Sequence, residues 1–123
     1  MGEEDEDVVE LALELGKLWV EALPVNFFTP VEGTPLTAAR PKEPSARYCL
    51  KALALFRLAN PRADLRVAAG RELRLGWLQP LALYAANSMF VADYLTTRGQ
   101  SPSEDYHMIR DLGFEVEEEE LRT

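Results

Sequence analysis

Thiols are almost absent from this sequence: its 123 residues include one cysteine, Cys49. That excludes an internal disulfide and any zinc site built from cysteines alone. It also excludes a [4Fe-4S] cluster held by this chain by itself, because such clusters draw on several thiolates. Histidine is as scarce, with His107 the single one. Basic residues are in deficit, 13 Lys and Arg against 21 Asp and Glu, for a formal charge of -8. A chain of that sign is poorly suited to gripping nucleic-acid phosphates or an anionic membrane surface. No run of 18 apolar residues occurs, so no segment reads as a membrane span. The N-terminal MGEEDEDVV is acidic where a secretory signal is basic, and a cytoplasmic protein is the expectation. No repeat of 20 to 50 residues and no phosphate-cradling glycine pattern is present.

What is present fits one globular domain: 47% apolar and 28% charged residues. Glu3–Trp19 reads as an amphipathic helix, with Val8, Leu11, Ala12, Leu15, Leu18 and Trp19 at helical spacing. The acidic run Glu3–Asp7 suits the positive end of its dipole. Leu23–Phe28 (LPVNFF) is nearly continuous in apolar character and reads as a parallel strand buried on both faces. Thr29–Pro44, with four prolines, is expected to be a loop, and Ser45 to cap a helix that Asn60-Pro61 stops. That helix should bury a side marked by Ala46, Cys49, Leu50, Leu53, Ala54 and Arg57. Asp64–Gly70 (DLRVAAG) is a second strand, Leu78–Asn87 a third helix, and Ser88–Leu95 extended or mixed. Ser103 caps a closing helix that Gly113 ends, and the acidic tail FEVEEEELRT should fray.

Strands alternating with helices argue for crossover connections and a parallel sheet. An eight-stranded βα barrel uses about 30 residues per unit, and two such steps are found here. The expected fold is therefore α/β: the C-terminal part of a (βα)8 TIM-type barrel, about two parallel strands with flanking helices and a cap, incomplete as an isolated chain. Functional side chains in such barrels stand at the C-terminal ends of the strands. Asn26 lies there, and its amide offers an acceptor and two donors for a urea-like ligand or for a neighbouring backbone. Arg66 sits inside an apolar strand on the side of Ala68 and Gly70, small residues that should leave space beside it. It needs an anion, either a cofactor or an acidic residue on a neighbouring strand. Arg71 and Glu72 follow and can pair with each other or face the mouth of the site. Asn87-Ser88 reads as helix C-cap chemistry within reach of a ligand, His107 as a surface residue, and Cys49 as a core residue.

Three strings carry a resemblance: PVNFFTPVEGTPL (Pro24–Leu36), ALFRLANPRADLRVAAGRE (Ala54–Glu72) and LQPLALYAANSMFVADYLTT (Leu78–Thr97). Together with DYHMIRDLGFEV (Asp105–Val116), they resemble the C-terminal part of the biotin synthase family, in the family's order and spacing. Residues 30–123 correspond to the module shared by biotin- and thiamine-biosynthesis radical enzymes, and residues 1–123 to the last part of the radical S-adenosylmethionine barrel. The resemblance implies radical insertion of sulfur into dethiobiotin. A [4Fe-4S] cluster cleaves S-adenosylmethionine and a [2Fe-2S] cluster supplies the sulfur. It further implies Arg66 as a ligand of the [2Fe-2S] cluster, Asn26 as a contact to the ureido ring of dethiobiotin, and a homodimer. The family's C-x3-C-x2-C motif is missing, and Met1-Gly2-Glu3 looks like the end of a longer motif. A truncated gene product, inactive alone, is the expectation; a non-catalytic remnant that binds a partner through its open strand edges is the alternative.

Overall fold

A computed structural model describes residues 2–38, 42–95 and 97–117. Helix α1 (Asp5–Lys17) leads into strand β1 (Ala22–Val25). A one-turn helix α2 (Pro35–Ala38) follows, then α3 (Ala46–Ala59) and β2 (Asp64–Val67). Beyond β2 come α4 (Arg71–Leu75), a 3-10 turn at Gly76–Leu78, α5 (Gln79–Ala82), β3 (Ser88–Met89) and α6 (Pro102–Asp111). The strands form one parallel sheet in the order β1-β2-β3.

The register sorts the strand residues onto two unlike faces. Leu23, Val25, Leu65, Val67 and Met89 point to one side and join Ala12, Cys49, Leu53, Phe56, Leu75 and Ala82 from the helices in a single core. Ala22, Pro24, Asp64, Arg66 and Ser88 fall on the other side, all exposed or half-buried. β1 is thus covered on one face, and not on both as its apolar run suggests. Hydrophobic residues alone do not reveal which side a sheet packs.

Several local expectations are corrected. Of the stripe on α1, Ala12 is buried and Val8 and Leu15 are half-buried, whereas Leu11, Leu18 and Trp19 are exposed. Gly16 explains the narrow contact: it lies so close to α3 that a Cβ there would meet the Ala59 carbonyl oxygen at 2.7 Å. In α3, Ser45 caps as expected, its Oγ accepting the Tyr48 N–H at 3.2 Å, but Phe56 is buried where Ala54 was expected. The helix expected over 78–87 shrinks to the single turn α5 (Gln79–Ala82), which Pro80 opens as expected and which ends at Leu83 in turns that lead to β3; α4 and the 3-10 turn before it lie where no helix was expected. Ser101, not Ser103, caps α6: it forms a capping box with Glu104 ahead of Pro102. Residues 118–123 of the acidic tail, and Met1, lie outside the described residues.

Candidate functional site

The uncovered face of the sheet carries the polar side chains. Arg66 stands in register between Pro24 of β1 and Ser88 of β3. Its Nε donates to Ser88 Oγ at 2.9 Å, and its guanidinium carbon lies 5.4 Å from the centroid of the Phe90 ring. Within 6 Å, a ring face attracts a cation. Arg66 is half-buried, yet among the described residues no carboxylate pairs with it and neither Nη atom makes a hydrogen bond. An ion pair with an acidic residue of a neighbouring strand is therefore not what satisfies this charge. Nor do small residues open space beside it in the expected way. Ala68 is fully buried, and Gly70 is packed so that a Cβ would lie 2.3 Å from the Phe27 carbonyl oxygen.

Asn26 follows β1 and is exposed. Its Oδ1 accepts the Ala69 N–H at 3.1 Å, next to the backbone bond from Phe27 N–H to the Ala69 carbonyl at 2.9 Å. The amide thus continues the β1–β2 ladder past the strand ends, while Nδ2 keeps both donors without a hydrogen-bond partner among the described residues. Two residues beyond Pro24, the partner of Arg66, Asn26 lies about 7 Å further along the same side of the strand. The two sequence-selected residues therefore share one face. Asn87 does not join them: Oδ1 accepts from Leu65 N–H (2.9 Å) and Arg57 Nη2 (2.7 Å), and Nδ2 donates to Asp64 Oδ1 (2.9 Å). It is a stitch between β2 and β3. His107 is at the surface, 3.4 Å from Asp111. Cys49 is fully buried, and loss of solvent pushes its thiol from an ordinary 9.0 to about 11.

Arg71 and Glu72, singled out after β2, do pair with each other, but sequence reasoning missed the cluster they build with Asp105, Tyr94 and Gln100. Arg71, 1% exposed, forms a two-pronged ion pair with fully buried Asp105 of α6, Nη1 to Oδ1 at 3.0 Å and Nη2 to Oδ2 at 3.1 Å. Glu72 accepts from Arg71 Nη2 (3.0 Å), Tyr94 Oη (3.1 Å) and the Gln100 N–H (3.1 Å). Burial raises the Asp105 carboxyl above the usual aspartate range, against the pull of the Arg71 guanidinium. Burial likewise raises the Tyr94 phenol, with Arg71 opposing and Glu72 reinforcing the shift. A signal was available: Asp105 lies on the helix face of Met108, Ile109 and Leu112, where a lone carboxylate needs a buried partner. Among the described residues no group of three or more His, Cys, Asp or Glu is placed to hold a metal ion, and no helix is long and apolar enough to cross a membrane.

Comparison with known proteins places the chain in a family. The model of the Biotin and Thiamin Synthesis associated domain matches residues 24–115. A biotin synthase of Lysinibacillus sphaericus (strain C3-41) is 54% identical over 117 residues, covering 95% of this chain and 35% of the relative. Biotin synthases of Geobacillus kaustophilus (strain HTA426) and Bacillus subtilis (strain 168) are 55% and 52% identical, again over 95% of this chain and 34% of theirs. The chain spans about a third of the length of the curated relatives it matches. The similarity is to the C-terminal portion of biotin synthase, and the chain belongs to the Biotin and Thiamin Synthesis associated domain family.

Proposed function

We propose that this chain is the C-terminal part of a biotin synthase and forms the last wall of a (βα)8 barrel in which dethiobiotin is converted to biotin. The observation that carries the reading is Arg66: a guanidinium on the uncovered face of a parallel sheet, with no carboxylate partner among the described residues and two idle Nη atoms. Such a group suits an anionic ligand, and a [2Fe-2S] cluster is one. When bound, that cluster supplies the sulfur that closes the thiophane ring. Arg66 would present its guanidinium to it, held at Nε by Ser88 and along one face by Phe90. Asn26 donates from Nδ2 to the carbonyl of the ureido ring, its Oδ1 being engaged by Ala69. That ladder bond leaves the amide with one way to point, which orients the substrate without cost in side-chain entropy on binding.

For the [4Fe-4S] cluster, which cleaves S-adenosylmethionine, the residues present do not fit. The one cysteine is buried on the helix side of the sheet, and its thiol is pushed away from the thiolate a cluster needs. On this reading the cluster would be held by residues outside this chain, which spans about a third of the relatives' length. The test is a chimera in which this chain replaces the matching third of the Lysinibacillus sphaericus relative. It is expected to form biotin from dethiobiotin after iron–sulfur reconstitution. Arg66→Ala in the chimera is expected to alter the visible absorption of the [2Fe-2S] cluster, and Asn26→Ala to raise the dethiobiotin KM about 10-fold or more. A folded chimera that binds both clusters but makes no biotin would favour a non-catalytic remnant.

A further inference from the structure

The dipeptide Arg71-Glu72 gathers four stretches that are distant in sequence. Arg71 reaches Asp105 of α6, Gln79 of α5 and, from Nη2, the Phe90 carbonyl at 3.4 Å. Glu72 receives the Tyr94 hydroxyl and the Gln100 N–H. Gln100 Nε2 also donates to Asp105 Oδ1 at 3.1 Å, which closes the ring of contacts. Residues 90–95 and 97–100 turn back on one another, the Tyr94 N–H donating to the Thr97 carbonyl at 2.9 Å. Ala92 adopts φ +78°, a Cβ on Gly99 would lie 2.1 Å from the Ala92 carbonyl oxygen, and the Gly99 N–H donates to Asp93 Oδ1 at 3.1 Å.

Apolar burial does not fix this region. Phe90 is 46% exposed, the Leu95 side chain is fully exposed, and Asp105 is the single buried residue of α6. A left-handed alanine persists where its surroundings over-determine it, and here Gly99 closes on the Ala92 carbonyl while Asp93 holds the Gly99 N–H. Phe90 N–H is held by the Val67 carbonyl at 3.1 Å, but its carbonyl and the chain beyond depend on the Arg71-Glu72 contacts. The Phe90 ring is the face against which Arg66 rests.

We infer that Arg71, Glu72 and Asp105 are positioning residues for Arg66: they seat Phe90, Tyr94, Gln100 and α6, and through Phe90 set the direction of the Arg66 guanidinium. The consequence for sulfur transfer rests on the reading of Arg66 proposed above. The seating itself does not, so the two can fail separately.

The test needs neither cluster nor substrate. In the 15N-labelled chain, the Arg66 Nε–Hε resonance reports on the site and that of Arg57, bonded to the Ala85 carbonyl at the opposite ends of the strands, serves as the internal control. Asp105→Asn and Tyr94→Phe are each expected to speed exchange of the Arg66 Hε with water at least about threefold and to leave Arg57 unchanged. Phe90→Leu is expected to shift the Arg66 resonance by removing the ring current. The inference is overturned if Phe90→Leu moves Arg66 while Tyr94→Phe does not, or if Arg57 responds as strongly as Arg66. Should Asp105→Asn fail to fold, Tyr94→Phe, which removes one hydroxyl, decides the matter.

Discussion

Arg57 shows how one side chain can join three elements. From α3 its Nε donates to the Ala85 carbonyl at 2.7 Å, and Nη1 is shared among the carbonyls of Asn60 (3.3 Å), Pro61 (3.2 Å) and Ala63 (2.8 Å). Nη2 donates to Asn87 Oδ1 at 2.7 Å, and Asn87 in turn holds the Leu65 N–H. A planar fork with five donors can do this, and an ammonium on a flexible stem cannot. Arg57→Ala is therefore expected to destabilise the chain by about 2–4 kcal/mol in urea unfolding, with Arg57→Lys recovering less than half of the loss. Cys49 gives a pH prediction. Its folded thiol titrates at about 11 against an ordinary 9.0, so its contribution to stability is complete below pH 9 and is lost as pH rises towards 11. At pH 8 roughly one folded molecule in a thousand carries the thiolate, and iodoacetamide is expected to label Cys49 in urea but not in native buffer.

Among the elements, glycine positions control how closely they approach. Gly70 turns β2 into α4 at φ +82° with the Phe27 carbonyl against it, a geometry that a side chain violates twice. Gly70→Ala is expected to cost more than about 3 kcal/mol and to abolish the cooperative thermal transition followed by circular dichroism. Gly113, at φ +78° behind α6, has open space around its missing Cβ, so Gly113→Ala is expected to cost only about 1 kcal/mol. Gly16→Ala tests the α1–α3 contact. Helix propensity rises by about 1 kcal/mol, yet the new methyl meets the Ala59 carbonyl. Net destabilisation, with faster amide exchange in α1 than in α3, is the expected outcome.

At the scale of the whole molecule, a three-stranded sheet has helices on one face and polar side chains on the other, and its edge strands lack further partners among the described residues. Trp77 is 99% exposed, and Leu73, Leu81, Tyr84 and Leu95 are also exposed. Open edges and apolar surface of this kind favour self-association. Sedimentation velocity is expected to show the weight-average mass rising with concentration in the micromolar range. A monomer with a concentration-independent melting temperature would contradict this.

The sequence alone determined the alternation of helices with parallel strands, because apolar periodicity and Pro, Gly and Ser punctuation are local signals. It also singled out Arg66 and Asn26, since a cation in an apolar strand and an amide at a strand end are conspicuous along the chain. It did not decide what those groups touch. The engagement of Asn26 Oδ1 by Ala69, that of Arg66 by Ser88, and the pairing of Arg71 with Asp105 link residues 22 to 43 positions apart. Partners that far apart are chosen by strand register and helix docking, and for Arg71 and Asp105 burial also removes water as the competing partner.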